Sequence, residues 1–406
     1  MKDGHIGHPV RRTRAEIDLD LLKSNIETLW KRAGSRGYMI LLKADAYGHG
    51  AIACARLAQK AGVDFGGVAV FQEALYLRRA GVDLPLLVLE DLFDDEISPA
   101  LHEDVSLAAS SLAYVEKVAA AAERSSRTGR IHINVDTGMG RLGCFPDQLE
   151  EIARFVHQCE WLLLEGVFTH FPAADEGEPS GPMKQMEVFT ALLDGLADEG
   201  IHPRWRHAAN SGAVLDLPSE SCLDMVRPGV ATFGLHPSGK VDHGSGISQV
   251  MKLKSAVISV RTFPAGSGIG YGSAFITSRE SRIGVVPIGY GDGYLRRFSG
   301  NSEVLIHGLR VPVVGRVSMD MITVDLTDIP ETVHTGDEVV LAGSQEWEER
   351  TAWLGIEELA ERAGTISYEI SCLIGRRVPR IFLEGSLPAA LEEMNPSSYR
   401  ELHPHH

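Results

Sequence analysis

The sequence predicts an α/β chain, a (β/α)8 barrel followed by a C-terminal, mainly antiparallel β domain. Three observations carry that prediction. Short apolar or β-branched runs alternate with helical patterns up to about residue 230, and the composition changes after "HPSGKVDHGSG" (236–246). Beyond that point strand-like runs follow one another almost without helices. Alternation implies parallel strands, each needing a crossover, whereas uninterrupted runs imply antiparallel pairing. The expected limits are 12–240 for the barrel, 246–385 for the β domain and 386–406 for a peripheral tail.

Taken in order, the barrel strands are expected at "YMILLK" (38–43), "GGVAV" (66–70), "LLVLE" (86–90), "VSLAA" (105–109), "RIHINV" (130–135), "LLLEGVF" (162–168), "WRHAA" (205–209) and "DMVR" (224–227). Stretches such as "IACARLAQKAG", "AYVEKVAAAAER" and "DQLEEIARFVHQ" supply the crossovers, with apolar residues at helical spacing. Eight repeats suit a closed barrel, although a doubly wound open sheet uses the same alternation. The β domain is expected from "KLKSAVISVRTF", "RIGVVPIGY", "EVLIHGLRVPVVG", "MITVDL" and "DEVVLAG", with a turn at "HG" (307–308). A helix at "GIEELAERAG" and a final strand near "TISYEISCLI" complete it.

Composition narrows the function. The 406 residues are 44% hydrophobic and 23% charged, as in a soluble globular protein. A net charge of −16 argues against a nucleic-acid or anionic-membrane surface, and no apolar run reaches the ~18 residues of a membrane span. The five cysteines are odd in number, scattered and free of CxxC pairs, which favours reduced thiols in a cytoplasm over disulfides or zinc. The opening "MKDGHIGHPVRR" lacks a signal-peptide core, and His403, His405 and His406 read as a tail rather than a metal site.

The chemistry should gather where the barrel strands end, because their C-terminal loops share one rim. Lys43, in "LLKADAYGHG" (41–50), follows the first strand and should be half buried, where desolvation lowers a lysine from its usual ~10.4 and makes the amine more nucleophilic. "DTGMGR" (136–141) follows the fifth strand, His170 the sixth, "NS" (210–211) the seventh and "RPG" (227–229) the eighth. Ser211 with the backbone N–H groups of Gly229 and Val230 offers a phosphate cradle. Singly these are bland: Ser211 reads as a helix N-cap, His170 as a satisfied strand-end histidine, "RPG" as a turn. A phosphate cradle and a lysine on one rim together point to pyridoxal 5'-phosphate held as a Schiff base.

"LLKADAYGHG", "NVDTGMGRLG", "THFPAAD", "HAANSGA", "MVRPGV", "GIGYGSAF", "VPIGYGDGY", "VGRVSMD" and "GTISYEISCLIGRRVPR" resemble, in order, the motifs of bacterial alanine racemases, from about residue 13 to 382. The resemblance implies a pyridoxal-phosphate enzyme interconverting L- and D-alanine and supplying D-alanine for peptidoglycan. It makes Lys43 and Tyr271 the two bases on opposite faces of the substrate, with His170 supporting the tyrosine. It sets Arg227 against the pyridine nitrogen, Tyr47 and Tyr368 on the phosphate, Leu89 against the ring, and Arg141 near the phenolic oxygen and substrate carboxylate. Tyr271 and Met319, the latter through its N–H to the carboxylate, would come from the neighbouring subunit of a head-to-tail homodimer, with Tyr290 and Asp292 shaping the entrance.

One position departs from the pattern. Many relatives carry a lysine two residues before the aspartate of "DTGMGR", carbamylated to orient the arginine; here it is Asn134, which carries no charge. Arg141 must then be oriented by the Asn134 carbonyl, a bound anion or a nearby acid, and a broad-specificity or serine racemase becomes the alternative. Ser318 stands where cysteine is frequent. A decarboxylase on the same barrel would need an acid in place of Arg227, and a non-catalytic cofactor carrier would not need both Lys43 and Tyr271.

Overall fold

The computed structural model describes residues 11–34, 36–241, 244–385 and 387–392. The chain divides into two units, one formed by residues 21–248 and the other by residues up to 20 together with those from 249 onward.

The first strand, β1 (Arg14–Asp18), belongs to the second of these units, so the barrel does not begin at residue 12 as expected. In β1, Ala15 and Ile17 are buried while Arg14, Glu16 and Asp18 are partly exposed. That alternation marks a strand with one covered face, unlike the continuous apolar runs of a parallel barrel.

The barrel strands are β2 (Gly37–Leu41), β3 (Phe65–Val68), β4 (Leu86–Val88), β5 (Ser106–Ala109), β6 (Gly129–Asn134), β7 (Leu162–Phe168), β8 (Trp205–His207) and β9 (Met225–Val226). They form one parallel sheet in the order β8-β7-β6-β5-β4-β3-β2-β9. Its two ends approach through Asp224 N–H to Arg206 O (3.0 Å) and Arg227 N–H to Ala209 O (2.9 Å), which nearly close the barrel. All eight expected strands are present. The crossover helices bury one stripe each: Leu149, Ile152, Ala153 and Val156 of Leu149–Gln158 lie at helical spacing toward the sheet side of the pattern. Met39, Leu41, Phe65, Leu87 and Met225 form an apolar cluster.

In the other unit β1 pairs antiparallel with Met251–Ala256 and parallel with Arg380–Glu384. The expected "KLKSAVISVRTF" strand is two, Met251–Ala256 and Ser259–Phe263. The "HG" turn joins Glu303–Ile306 to Leu309–Val314, with φ of 51° at His307 and 69° at Gly308, the positive pair of a tight type I′ hairpin. A Cβ on Gly308 would lie 2.8 Å from that of Arg350, so the turn also needs glycine's size.

The segment "TISYEISCLI" is a correction: Ser367–Leu373 is a helix, not the final strand. Its buried residues Ser367, Ile370 and Ser371 repeat at three to four, and that period prevails over the β-branched content. The last strands are Arg380–Glu384 and Leu387–Glu392, paired antiparallel, so the expected peripheral tail begins as a strand. The opening residues 1–10, and 393–406 with the three terminal histidines, lie outside the described residues.

Candidate active site

A cavity of about 270 Å³ opens where the barrel strands end, lined by Lys43, Leu89, Glu90, Asn134, Arg141, His170 and Arg227 among others. These residues follow β2, β4, β6, β7 and β9, so the polar residues that the sequence scattered over nearly two hundred positions share one chamber. It holds three cationic side chains and one carboxylate, Glu90, an arrangement that attracts phosphate and carboxylate groups. Burial, reinforced by Glu73 and Glu96, raises the Glu90 pKa.

Lys43 is fixed by an unusual backbone. Ala44, Asp45, Ala46 and Tyr47 all have positive φ, between 51° and 55°. This is a left-handed turn of four L-residues, each conformation costing about 1–2 kcal/mol. Hydrogen bonds hold it: Ala44 N–H donates to Glu73 Oε1 (2.6 Å), Ala51 N–H to Asp45 Oδ1 (2.7 Å) and Gly50 N–H to Asp45 O (2.9 Å). The other Glu73 oxygen accepts from Ala69 N–H (2.8 Å), tying the turn to the loop after β3. The Lys43 ammonium lies 5.9 Å from the centre of the Tyr47 ring.

The phosphate cradle takes definite form. The N-cap of helix Ser211–Asp216 is Asn210, whose Oδ1 accepts from Ala213 N–H, not Ser211. The Ser211 hydroxyl instead accepts from Gly229 N–H (2.9 Å) and Ala231 N–H (3.2 Å), leaving its own proton to donate. The N–H of Val230 finds no acceptor among the described residues. A Cβ on Gly229 would strike the Tyr47 hydroxyl, so that phenol rests on the bare glycine. The hydroxyls of Tyr47 and Ser211 and the amide of Val230 thus stand around Gly229, whose own N–H, expected to face a phosphate, is instead taken up by Ser211.

Arg227 is 4% exposed. One guanidinium nitrogen donates to His207 Nδ1 (2.8 Å), and the other to the carbonyls of Thr169 (2.8 Å) and Ala208 (3.3 Å), with His170 Nδ1 at 3.5 Å. Among the described residues no carboxylate hydrogen-bonds it. Burial lowers its pKa to about 9, so it stays a cation at neutral pH. His170 is pulled down to about 3, first by burial and then by Arg227, Arg141 and Lys43. It is therefore a neutral imidazole that supports a partner by hydrogen bonding rather than by charge.

Sequence reasoning missed the layer behind these groups. His132, His207 and Glu165 were read only as strand residues, yet His132 and His207 are fully buried and hydrogen-bonded to one another (2.9 Å). The available signal was polar residues inside strands otherwise apolar on both faces. Asp136 was missed as well. Its carboxylate accepts from the N–H groups of Gly138, Met139 and Gly140, folding "DTGMGR" so that Arg141 ends in the cavity. The Arg141 guanidinium and the Asn134 amide make no hydrogen bond to each other among the described residues.

The remaining expected residues lie in the β unit. Tyr271 sits at the tip of a hairpin pairing Gly268–Ile269 with Phe275–Ile276, between glycines with φ of 72° and 66°, and is 71% exposed. Met319 is also exposed, and its N–H has no acceptor among the described residues. Its carbonyl accepts from Gly291 N–H (2.9 Å), which brings "GYGDGY" beside it. Tyr290 is exposed, whereas Asp292 is buried between Arg11 (2.6 Å) and Arg377 (3.0 Å). Asp292 is thus a loop anchor rather than an entrance residue. Tyr368 is half buried on helix Ser367–Leu373.

Residues 17–237 match the model of the alanine racemase N-terminal domain, and residues 250–382 that of the alanine racemase C-terminal domain. The chain belongs to the alanine racemase family. It is 39% identical to alanine racemase 2 of Caldanaerobacter subterraneus over 92% of this chain and 95% of that one. It is 41% identical to the alanine racemase of Symbiobacterium thermophilum over 92% and 97%. Among solved structures, the alanine racemase of Clostridium difficile superposes with a TM-score of 0.88 at 34% identity, covering 95% of this chain and 99% of that one. The Bartonella henselae alanine racemase, solved with covalently bound pyridoxal phosphate, gives 0.82 at 28% identity over 92% and 100%. Alanine racemases are pyridoxal-phosphate-dependent isomerases, and the residues present fit that cofactor: an amine at the rim, a cradle for phosphate, and a buried cation on the cavity wall.

Proposed function

We propose that this enzyme interconverts L- and D-alanine by a two-base mechanism, with Lys43 and Tyr271 exchanging the Cα proton on opposite faces. When bound, pyridoxal phosphate supplies the conjugated ring that makes that proton acidic. The observation that carries the reading is the chamber itself: Lys43, Arg141, His170 and Arg227 line one cavity, and among the described residues no acid hydrogen-bonds Arg227. Lys43 takes or returns the proton of the D-enantiomer, and its turn keeps the amine in place. Arg141 and the N–H of Met319 hold the substrate carboxylate. Leu89 would cover the cofactor ring, and Tyr47, Tyr368, Ser211, Gly229 and Val230 would hold its phosphate. Arg227 would face the ring nitrogen of the bound cofactor as a donor that does not yield its proton, which would limit charge delocalisation and disfavour transamination.

Exposure supports a shared site. Tyr271 and Met319 are 71% and 52% exposed, and the barrel loops after β3, β4 and β6 expose Val70, Phe93, Leu142 and Phe145. Uncovered apolar groups beside catalytic positions on both units fit a head-to-tail homodimer in which each barrel receives the partner subunit's tyrosine. The free thiols fit a reducing cytoplasm, where D-alanine for peptidoglycan is made. Asn134, which makes no hydrogen bond to Arg141 among the described residues, keeps a broad-specificity or serine racemase as the alternative.

The test is to offer the cofactor-loaded protein single enantiomers of alanine and serine in heavy water. Loss of optical rotation with deuterium entering Cα supports the reading, and the faster substrate names the specificity; carbon dioxide release would overturn it. Tyr271→Phe should lower kcat by at least ~10²-fold, the usual lower bound for a positioned acid or base. Mixing inactive Lys43→Ala and Tyr271→Phe chains should restore activity to about a quarter of the sites, since half the random dimers carry one intact site.

A further inference from the structure

A second cavity, of about 310 Å³, lies at the opposite mouth of the barrel, where the strands begin; Asp64, Ser106, Arg130, Glu165 and Trp205 are among its walls. One hydrogen-bonded row crosses the barrel interior between the two chambers. Arg227 meets His207 Nδ1 at 2.8 Å, His207 Nε2 meets His132 Nδ1 at 2.9 Å, and His132 Nε2 meets Glu165 Oε2 at 3.2 Å. The Ser106 hydroxyl donates to the same Glu165 oxygen at 2.5 Å.

The sequence makes room for this row. β6 and β7 slip register between Ile131 and His132, so that Ile131 pairs with Leu164 and His132 with Gly166, leaving Glu165 as the extra residue of a bulge. A bulge re-aims the side chain it carries. A Cβ on Gly166 would collide with the His132 ring, so glycine is required beside it. Phe65 meets His132 edge-on at 5.7 Å, and Phe168 stacks on His207 at 4.9 Å, walling the row from water. Most small barrels fill this space with branched apolar side chains.

The two ends of the row dictate its polarity. A guanidinium can only donate, so His207 Nδ1 must accept and its proton sits on Nε2. His132 Nδ1 must then accept, and its own Nε2 proton goes to Glu165, which as a carboxylate only accepts. Burial lowers both imidazole pKa values, so each ring is neutral and has one tautomer available. Burial raises the Glu165 pKa, but hydrogen bonds from His132 and Ser106 outweigh it and keep the carboxylate ionised.

We propose that Glu165, on the face of the barrel opposite the substrate, is a positioning residue for racemisation: through His132 and His207 it fixes every proton in the row and holds Arg227 as a donor toward the reaction chamber. This rests on reading Arg227 as the group that faces the cofactor's ring nitrogen. Without an acceptor at 165, His132 is free to move its proton to Nδ1 and drive His207 to the tautomer whose N–H points at Arg227. Donor would then face donor, and the guanidinium would shift.

The test is ring ¹⁵N NMR of the histidines in the holoenzyme, which reads tautomers directly and needs no variant. Nε2-protonated, neutral His132 and His207 are expected; an Nδ1-protonated or charged ring at either position would overturn the proposal. Glu165→Gln, whose amide oxygen still accepts, should keep both tautomers and most of kcat. Glu165→Leu should flip at least one tautomer, move the absorption band of the bound cofactor, and lower kcat about tenfold with KM little changed, the size typical of losing an outer partner of an oriented group. Unchanged tautomers and an unchanged kcat in Glu165→Leu would also overturn it. The expected tautomers in a protein that racemises no amino acid would instead refute the reading of Arg227, leaving the direction of the row intact.

Discussion

Replacing Ala44 with glycine should stabilise this protein, against the usual rule. Ala44 is exposed, so its methyl group contributes little packing, and its φ is 51°. An L-residue in that region costs about 1–2 kcal/mol, a strain that glycine does not feel. Glycine also loosens the unfolded chain, which costs about 0.4–1 kcal/mol. The difference leaves a gain of about 0–1.5 kcal/mol, and at 2–4 °C per kcal/mol for a unit of this size the melting point should rise by a few degrees. Ala44→Val tests the opposite direction, because a β-branched side chain is least tolerated at positive φ, and it should unfold earlier than the parent. Thermal and urea unfolding of the three proteins decide the matter. In a right-handed helix the same Ala→Gly change would cost about 1 kcal/mol. A glycine variant destabilised by that amount would mean that the turn after Lys43 is not left-handed, and the account of how the lysine is held would fall with it.

Gly229→Ala should weaken cofactor binding, since its methyl group would meet the Tyr47 hydroxyl and overpacking of this kind costs about 1–3 kcal/mol; titration of the cofactor's absorbance measures it, and an unchanged Kd would remove Tyr47 from the cradle. The buried histidines predict acid sensitivity. His170 is held near 3, and His132 and His207 are also lowered by burial, below the ~6.5 of an unfolded chain. Their contribution is therefore complete above pH ~6.5 and declines below it, because only the unfolded chain takes up protons, at about 1.4 kcal/mol per pH unit for His170. Urea unfolding at pH 7, 6 and 5 should show that decline, His170→Asn should make it shallower, and a flat profile would mean the rings are not buried as neutral species.

The strands of the barrel were legible because parallel strands covered on both faces leave continuous apolar runs, as "YMILLK" and "LLLEGVF" do. Even the two-residue β9 was visible, through its position before "RPG". The site was legible for a related reason: each strand end is followed at once by a residue that would be costly there without a purpose. What escaped depended on partners distant in the chain. β1 looks like the start of the barrel until its neighbours, Met251–Ala256 and Arg380–Glu384, are known. The segment "TISYEISCLI" (365–374) carries both β-branched residues and a helical period, and local pattern alone does not rank them. The left-handed turn is imposed by Glu73, 29 residues away from the amide it holds. The role of Asp136 lies in backbone groups that have no sequence signature at all.

The two groups assigned to proton transfer are held in opposite ways, and that difference has a physical consequence. Lys43 follows a buried strand and precedes a turn pinned by two carboxylates, so its position is settled within the barrel. Tyr271 rides on a two-stranded tip flanked by glycines, with most of its surface in water. A phenol so exposed gains no burial that would restrict its rotamers, and ordering it costs side-chain entropy. That cost must be met where the tyrosine is used, by the surface that receives it. Phe93 and Phe145 on the barrel loops are exposed, and burying aromatic groups of that size is worth about 1.5–3 kcal/mol each. In the proposed dimer, association would order the second base in the act of covering the rim, so that assembly and catalytic competence would arrive together.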